Sequence, residues 1–159
     1  MRNNDDETAI AYFFEALEIQ EKKLGKHRHT SDTCEHIARC LFNMGKYLEA
    51  LPYAKQCLEL RLTEGVMKSV RHRETAFAHE QVGDIQSVLN NFTDAYCNYE
   101  KGFQILCELE RYGRQHEKSK EIESKMRSMW QMIGGDAFDE LECKINIFLI
   151  VTNLIVHSS

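Results

Sequence analysis

Apolar positions recur along the chain at helical spacing, and three stretches carry the same pattern. They span residues 6–20, 47–61 and 92–106, so their starts are 41 and 45 residues apart. Each has a small residue, a small or aromatic one four positions on, a small one three later, and then a large apolar one. Such offsets keep the positions on one helical face. The matching sets are Ala9, Phe13, Ala16, Leu17; Ala50, Ala54, Cys57, Leu58; and Ala95, Tyr99, Gly102, Phe103.

A further apolar helix is predicted before the second and the third stretch. The first of these helices contains Ala38 and ends near Gly45, and the other contains Gly83 and ends near Asn90. Glycine and asparagine favour the left-handed backbone conformation that stops a helix. The pattern therefore predicts an all-α fold made of antiparallel helix-turn-helix repeats.

The repeat register divides the chain into five segments. Residues 1–25 supply only the second helix of a first repeat, and 31–65 and 73–113 form two complete repeats. Residues 115–133 are predicted to form an amphipathic capping helix, and 134–159 form an apolar tail. The helix in 1–25 lacks half of its natural cover, which indicates either a piece of a longer array or a face for docking or self-association.

These residues resemble the tetratricopeptide repeats, which are helix-turn-helix units with small residues at fixed positions. The period exceeds the family's usual length of about 34 residues and is similar to that of the kinesin-light-chain type. The resemblance covers roughly residues 5–113 and implies a right-handed superhelical array. Gln86, Cys34 and His79 depart from its pattern, because they replace apolar or aromatic residues. The expected repeat core comprises Ala9, Leu17, Ala38, Gly45, Ala50, Leu58, Gly83, Ala95 and Phe103.

The resemblance also implies that the first helix of each unit lines a concave binding surface. The candidate partner-binding residues are Asp32, Glu35, Arg39, Phe42, Asn43, Phe77, Glu80 and Asp84. Polar groups of this kind can hydrogen-bond a peptide backbone, and phenylalanine offers apolar contact. Four acids against one arginine predict a neutral or basic peptide.

Composition limits the partners and the compartment. The chain has 159 residues, 43% of them hydrophobic and 28% charged, with a net charge of −5. This charge makes nucleic acid an unfavourable partner, because phosphate binding needs clustered Lys and Arg. The longest apolar run, residues 145–156, is shorter than the roughly 20 residues that a bilayer span needs. Six cysteines without a CxxC pair or a secretory signal predict reduced thiols in the cytoplasm.

No arrangement typical of catalysis or of cofactor binding stands out. Phosphate-binding glycine loops and the serine-hydrolase motif do not occur, and His79-Glu80 lacks the second histidine of a zinc-protease helix. Histidine and cysteine cluster at His27, His29, Cys34, His36 and Cys40, but their spacing suits a zinc site poorly. We expect no enzyme activity, no metal and no cofactor.

The sequence therefore predicts a non-catalytic adaptor or scaffold module that binds a protein or peptide. An alternative is a regulatory repeat segment of a larger nucleotide-driven enzyme or signalling protein. A third, weaker hypothesis is a metal-binding helical domain built on the cluster at residues 27–40.

Overall fold

The computed structural model describes residues 3–24, 27–63, 73–109 and 115–134, which form six helices and no strand. The helices are α1 (Asn3–Lys23), α2 (Arg28–Asn43), α3 (Tyr47–Leu62), α4 (Arg73–Val88), α5 (Phe92–Glu108) and α6 (Glu117–Met132). Each helix packs chiefly on its neighbours in the chain. This sequential packing confirms the predicted all-α repeat array. Residues 135–159, which make up nearly all of the predicted apolar tail, lie outside the described ranges.

The turns α2–α3 and α4–α5 have the same backbone geometry. Gly45 has a φ of 76° and Asn90 a φ of 61°, both left-handed. The next residue in each turn donates its N–H to a carbonyl five positions earlier at 2.9 Å, from Lys46 to Leu41 and from Asn91 to Gln86. These hydrogen bonds satisfy carbonyl groups that a helix end leaves without partners. The turns therefore repeat with the 45-residue period of the sequence.

Two apolar cores lie along the array, and α4 contributes to both. The first lies between α1, α2, α3 and one face of α4, and the second between the start of α4, α5 and α6. Six of the nine expected core residues are buried: Leu17, Ala38, Ala50, Gly83, Ala95 and Phe103. Ala9 and Leu58 are only half-buried, and Gly45 is exposed because its role is in the turn.

Small residues let α4 and α5 approach closely. A Cβ atom on Gly83 would lie 2.7 Å from Cε1 of Tyr99, and one on Gly102 would lie 2.9 Å from the carbonyl oxygen of Ala76. Because a Cβ atom does not lie so close to another heavy atom, a side chain at position 83 would displace the Tyr99 ring and one at position 102 would push α5 away from α4. In the second repeat the pair equivalent to Gly83 and Tyr99 is Ala38 and Ala54, both fully buried.

The three residues that depart from the family pattern are all buried. Cys34 joins the first core. His79 and Gln86 of α4 both bind Asn98 of α5, through His79 Nδ1 to Asn98 Oδ1 at 3.0 Å and from Asn98 Nδ2 to Gln86 Oε1 at 2.9 Å. Asn98 Nδ2 also donates to the carbonyl of Asp94 at 3.0 Å. A buried polar residue is tolerated when its hydrogen bonds are satisfied. The hydrogen bonds among His79, Gln86 and Asn98 thus form a polar seam between α4 and α5, in place of an apolar contact.

The ends of the array differ from each other. At α1, Leu17 is buried against α2, whereas Phe14 and Ile19 are exposed. At α6, Ile122 and Met126 are buried against α5. Within the described residues, no helix is long and apolar enough to span a bilayer.

The start of α2 differs from the predicted start at residue 31. The helix begins at Arg28 and therefore includes His29. The reason is a side-chain cap, because the backbone N–H of His29 donates to Nδ1 of His27 at 3.2 Å. Such a cap satisfies one of the free N–H groups at a helix start.

Candidate functional site

An open groove of about 420 Å³ runs across α2, α4 and α6. Its lining residues are Glu35, Arg39, Phe42, Phe77, Glu80, Gln81, Asp84, Lys118, Glu121 and Lys125. Within each helix they lie three, four or seven positions apart, apart from the neighbours Glu80 and Gln81, so they share one helical face. The groove therefore gathers the first helices of two repeats and the capping helix on one side of the array.

Six of the eight residues predicted to bind a partner line this groove. They are Glu35, Arg39, Phe42, Phe77, Glu80 and Asp84. The other two, Asp32 and Asn43, do not line it. Asp32 lies one turn before Glu35 on α2 and is turned towards α3, whereas Asn43 is exposed at the last residue of α2.

A buried arginine lies behind the α2 side of the groove. Arg61, in the last turn of α3, is only 2% exposed. Its guanidinium donates to the carbonyl of Glu74 at 2.7 Å, to Asp32 Oδ1 at 3.3 Å, and to Glu35 Oε2. Buried guanidinium groups need such partners because removing a charge from water is costly. Arg61 therefore holds α2, α3 and α4 together and neutralises two of the expected partner-binding acids.

Two lysines of α6 neutralise the acids of α4. Glu80, which is buried, accepts from Lys118 Nζ at 2.9 Å and from Lys125 Nζ at 2.7 Å. Lys125 also lies 2.8 Å from Asp84 Oδ1. Burial alone lowers the pKa of Lys125, but its hydrogen bonds and charge interactions with Asp84 and Glu80 outweigh burial and raise that pKa.

Reasoning from the sequence missed both lysines. The capping helix was predicted to be amphipathic, but its charged face was given no role, although Lys118 and Lys125 are seven positions apart and share that face. With them the groove lining holds four acids, at Glu35, Glu80, Asp84 and Glu121, and three cations. The excess of acids, from which a neutral or basic peptide was predicted, is thus almost cancelled by cations of the chain itself.

The apolar surface of the groove comes from two phenylalanines, one on each repeat. Phe42 is partly buried and meets Tyr47 edge to face, with the ring centroids 5.2 Å apart. Phe77 is partly buried, and Lys118 Nζ lies 5.8 Å from its ring centroid. Between them, Gln81 Nε2 donates to the carbonyl of Glu35 at 3.2 Å and joins α4 to α2. The groove thus combines two aromatic rings held in place by neighbouring side chains with a charged rim whose acids and cations are nearly equal in number.

The histidines and cysteines between residues 27 and 40 lie in different environments and do not converge on one site. His36 stacks on Phe13 of α1 with centroids 5.1 Å apart, and His27 caps α2. Cys34 and Cys40 are buried. Among the residues that the structure describes, no three His, Cys, Asp or Glu side chains come together in a way that could hold a metal ion.

The buried thiols are poorly suited to nucleophilic chemistry. Burial raises the pKa of the Cys34 thiol to about 11 and that of the Cys57 thiol to about 12. Because the thiolate is the reactive form, both are unreactive at neutral pH and act as small packing residues. Cys97, by contrast, is exposed on α5.

No protein-family model matches this chain, and no curated protein matches it significantly.

Proposed function

We propose that this chain is a non-catalytic protein–protein interaction module of tetratricopeptide-repeat type, which holds a peptide in the groove across α2, α4 and α6. The single observation that carries the proposal is the groove itself. It brings together six of the eight residues that the repeat register had singled out for partner binding. Helical repeat arrays bind partners on extended concave surfaces of this kind.

The tetratricopeptide assignment is supported by internal repetition. The two hairpin turns share one geometry 45 residues apart, with Gly45 and Asn90 in the left-handed conformation. Helix-turn-helix units at a fixed period are the hallmark of repeat arrays. A cytoplasmic location is part of the proposal, and the unreactive thiols of Cys34 and Cys57 agree with it.

The chemistry of the groove favours a peptide of low net charge. Lys118, Lys125 and Arg61 already bind Glu80, Asp84, Glu35 and Asp32, so the acids have little charge left for a basic partner. A large apolar or aromatic side chain can lie between Phe42 and Phe77. Exposed polar groups at the rim can hydrogen-bond the peptide backbone, which is a common division of roles in peptide recognition.

A selection from a displayed library of random peptides tests this proposal. The intact chain is the bait, and the double variant Phe42→Ala/Phe77→Ala is the counter-selection bait. We expect enriched peptides of low net charge with a large apolar residue, which bind the intact chain and not the double variant.

The matched control is Leu48→Ala. Leu48 is 78% exposed and lies in the first turn of α3, outside the groove. Peptides that bind through the groove should bind this variant as they bind the intact chain. Failure to enrich any peptide, or equal binding to the double variant, would rule out the groove as the binding site.

A further inference from the structure

Two lysines of α6 bind the acids of α4 and themselves line the groove. Glu80 Oε1 accepts hydrogen bonds from Lys118 Nζ and Lys125 Nζ, and Asp84 Oδ1 accepts one from Lys125 Nζ. The side chains of both lysines are 28% exposed, whereas that of Glu80 is only 8% exposed. A peptide in the groove therefore meets the two ammonium groups more readily than it meets the Glu80 carboxylate.

Both lysines carry a positive charge at neutral pH. Burial by itself lowers the pKa of Lys118, but its hydrogen bonds with Glu80 and Glu121 outweigh burial and raise that pKa, and the pKa of Lys125 is raised as well. Lys118 Nζ also lies 5.8 Å from the ring centroid of Phe77. A positive charge thus lies directly beside one of the two aromatic surfaces of the groove.

The charges that line the groove are close to balance only because of these lysines. The lining holds four acids and three cations, and two of the three cations are Lys118 and Lys125. Without one lysine, four acids would face two cations, and without both lysines they would face Arg39 alone. Charges in a partly buried groove are screened by salt less than charges on an open surface, so this balance decides which peptide charges the groove accepts.

We propose that Lys118 and Lys125 are specificity-determining residues, which make the groove reject basic peptides in favour of peptides of low net charge. The inference rests on the peptide binding proposed above. A lysine or arginine next to the apolar residue of a peptide comes close to both ammonium groups and is repelled. Like charges brought together at an interface suppress the wrong partner in this way.

The position of α6 does not depend on either lysine alone, because its apolar face is buried against α5. If Lys125 is removed, Glu80 keeps its hydrogen bond from Lys118 at 2.9 Å. Asp84 Oδ1 keeps the hydrogen bond that the Tyr99 hydroxyl donates at 2.7 Å. Each acid thus retains a partner, as buried polar groups require, and we expect Lys125→Met to fold.

Selection from one library of random peptides with three baits tests the proposal. The baits are the intact chain, Lys125→Met and Lys120→Met. The last is the matched control, because it removes the same charge from an exposed position of α6 outside the groove. We expect Lys125→Met to enrich peptides richer in lysine and arginine, and the other two baits to enrich the same peptides of low net charge.

Calorimetric titration of two matched peptides measures the size of the effect. The first is a peptide enriched by the intact chain, and the second has lysine at two uncharged polar positions beside its apolar residue. Lys125→Met should bind the second peptide about five- to tenfold more tightly than the intact chain does, with less than about a twofold change for the first. Lys125→Arg keeps the charge and should bind both peptides as the intact chain does.

A purely structural role of Lys125 predicts a different result, because a displaced α6 would weaken the binding of both peptides alike. That result, or enrichment of the same peptides by all three baits, would overturn this proposal and leave peptide binding by the groove intact. If no bait enriches a peptide, this proposal fails together with the proposed function. Circular dichroism checks the fold of Lys125→Met, and if that variant is unfolded Lys118→Met replaces it, since Lys125 then still binds both acids.

Discussion

Gly45 and Asn90 hold the same position in their respective hairpins and adopt the same left-handed backbone conformation. A side chain at position 45 would have no heavy atom within 4 Å. Any cost of replacing Gly45 is therefore conformational and not steric. Asparagine tolerates this conformation better than other non-glycine residues, which explains how it can serve in the second turn.

Replacing Gly45 should therefore have an effect that depends on the residue introduced. Gly45→Ala should lower the free energy of unfolding by about 1 kcal/mol, because alanine is strained at this φ. Gly45→Asn should lower it by clearly less, because asparagine already occupies the equivalent position 90. Urea unfolding of the two variants measures the difference. Equal costs for the two would contradict the equivalence of the turns.

His79 lies in the seam between α4 and α5, and burial lowers its pKa below the ordinary value of 6.5. Lys101 lowers it further, whereas the hydrogen bond to Asn98 opposes the shift. In the unfolded chain His79 takes up a proton at a higher pH than in the folded one. Its contribution to stability is therefore complete above about pH 7 and is lost as the pH falls below 6.5.

Comparing His79→Gln with the intact chain isolates this effect from the six other histidines. Between pH 7 and pH 5, the free energy of unfolding of the intact chain should fall more steeply than that of the variant. Unfolding in urea at a series of pH values measures both slopes. Parallel slopes would show that His79 takes up its proton equally in the folded and the unfolded chain.

At the scale of helices, Arg61 connects three elements through buried polar contacts. It binds Asp32 and Glu35 of α2 and the first turn of α4 from the end of α3. Exchanging Asp32 and Glu35 for lysine is therefore a poor test of partner charge. It would set like charges against a buried guanidinium and destabilise the fold as well.

Arg61→Met should lower the free energy of unfolding by about 2 to 3 kcal/mol. Breaking a buried ion pair can cost more than this, but Asp32 and Glu35 are about a third exposed and can regain water. Arg39→Met is the control, because Arg39 is an exposed residue and its removal should change stability by less than about 0.5 kcal/mol. Chemical unfolding measures both, and equal values would contradict the role of Arg61.

For the whole molecule, the repeat architecture could be predicted because helical periodicity and turn residues are local properties. Ala50, Ala95 and Gly45 carry that information in the sequence itself. The pairing of Lys125 with Asp84 could not be predicted, because it depends on the position that α6 adopts on α5 and α4. The burial of Arg61 likewise could not be predicted from the sequence, since an arginine in the last turn of a helix is ordinarily exposed to solvent.

The groove residues could be predicted only in part from the sequence. Their helical face followed from the repeat register and the family resemblance, and six of eight indeed lie in one groove. The net charge of the groove could not be predicted from the repeat register, because the cations that neutralise its acids come from α3 and α6. A count of charges on the first helices alone therefore overstates how acidic the surface is.

The central claim is that the groove across α2, α4 and α6 binds a peptide, and calorimetric titration of a selected peptide tests it most directly. Phe77→Ala should weaken binding by about tenfold or more, because aromatic anchors dominate such interfaces. Leu48→Ala, outside the groove, should leave the affinity unchanged. Equal affinity for the intact chain and Phe77→Ala would contradict the account, and weakening by Leu48→Ala alone would place the binding site at the start of α3 instead.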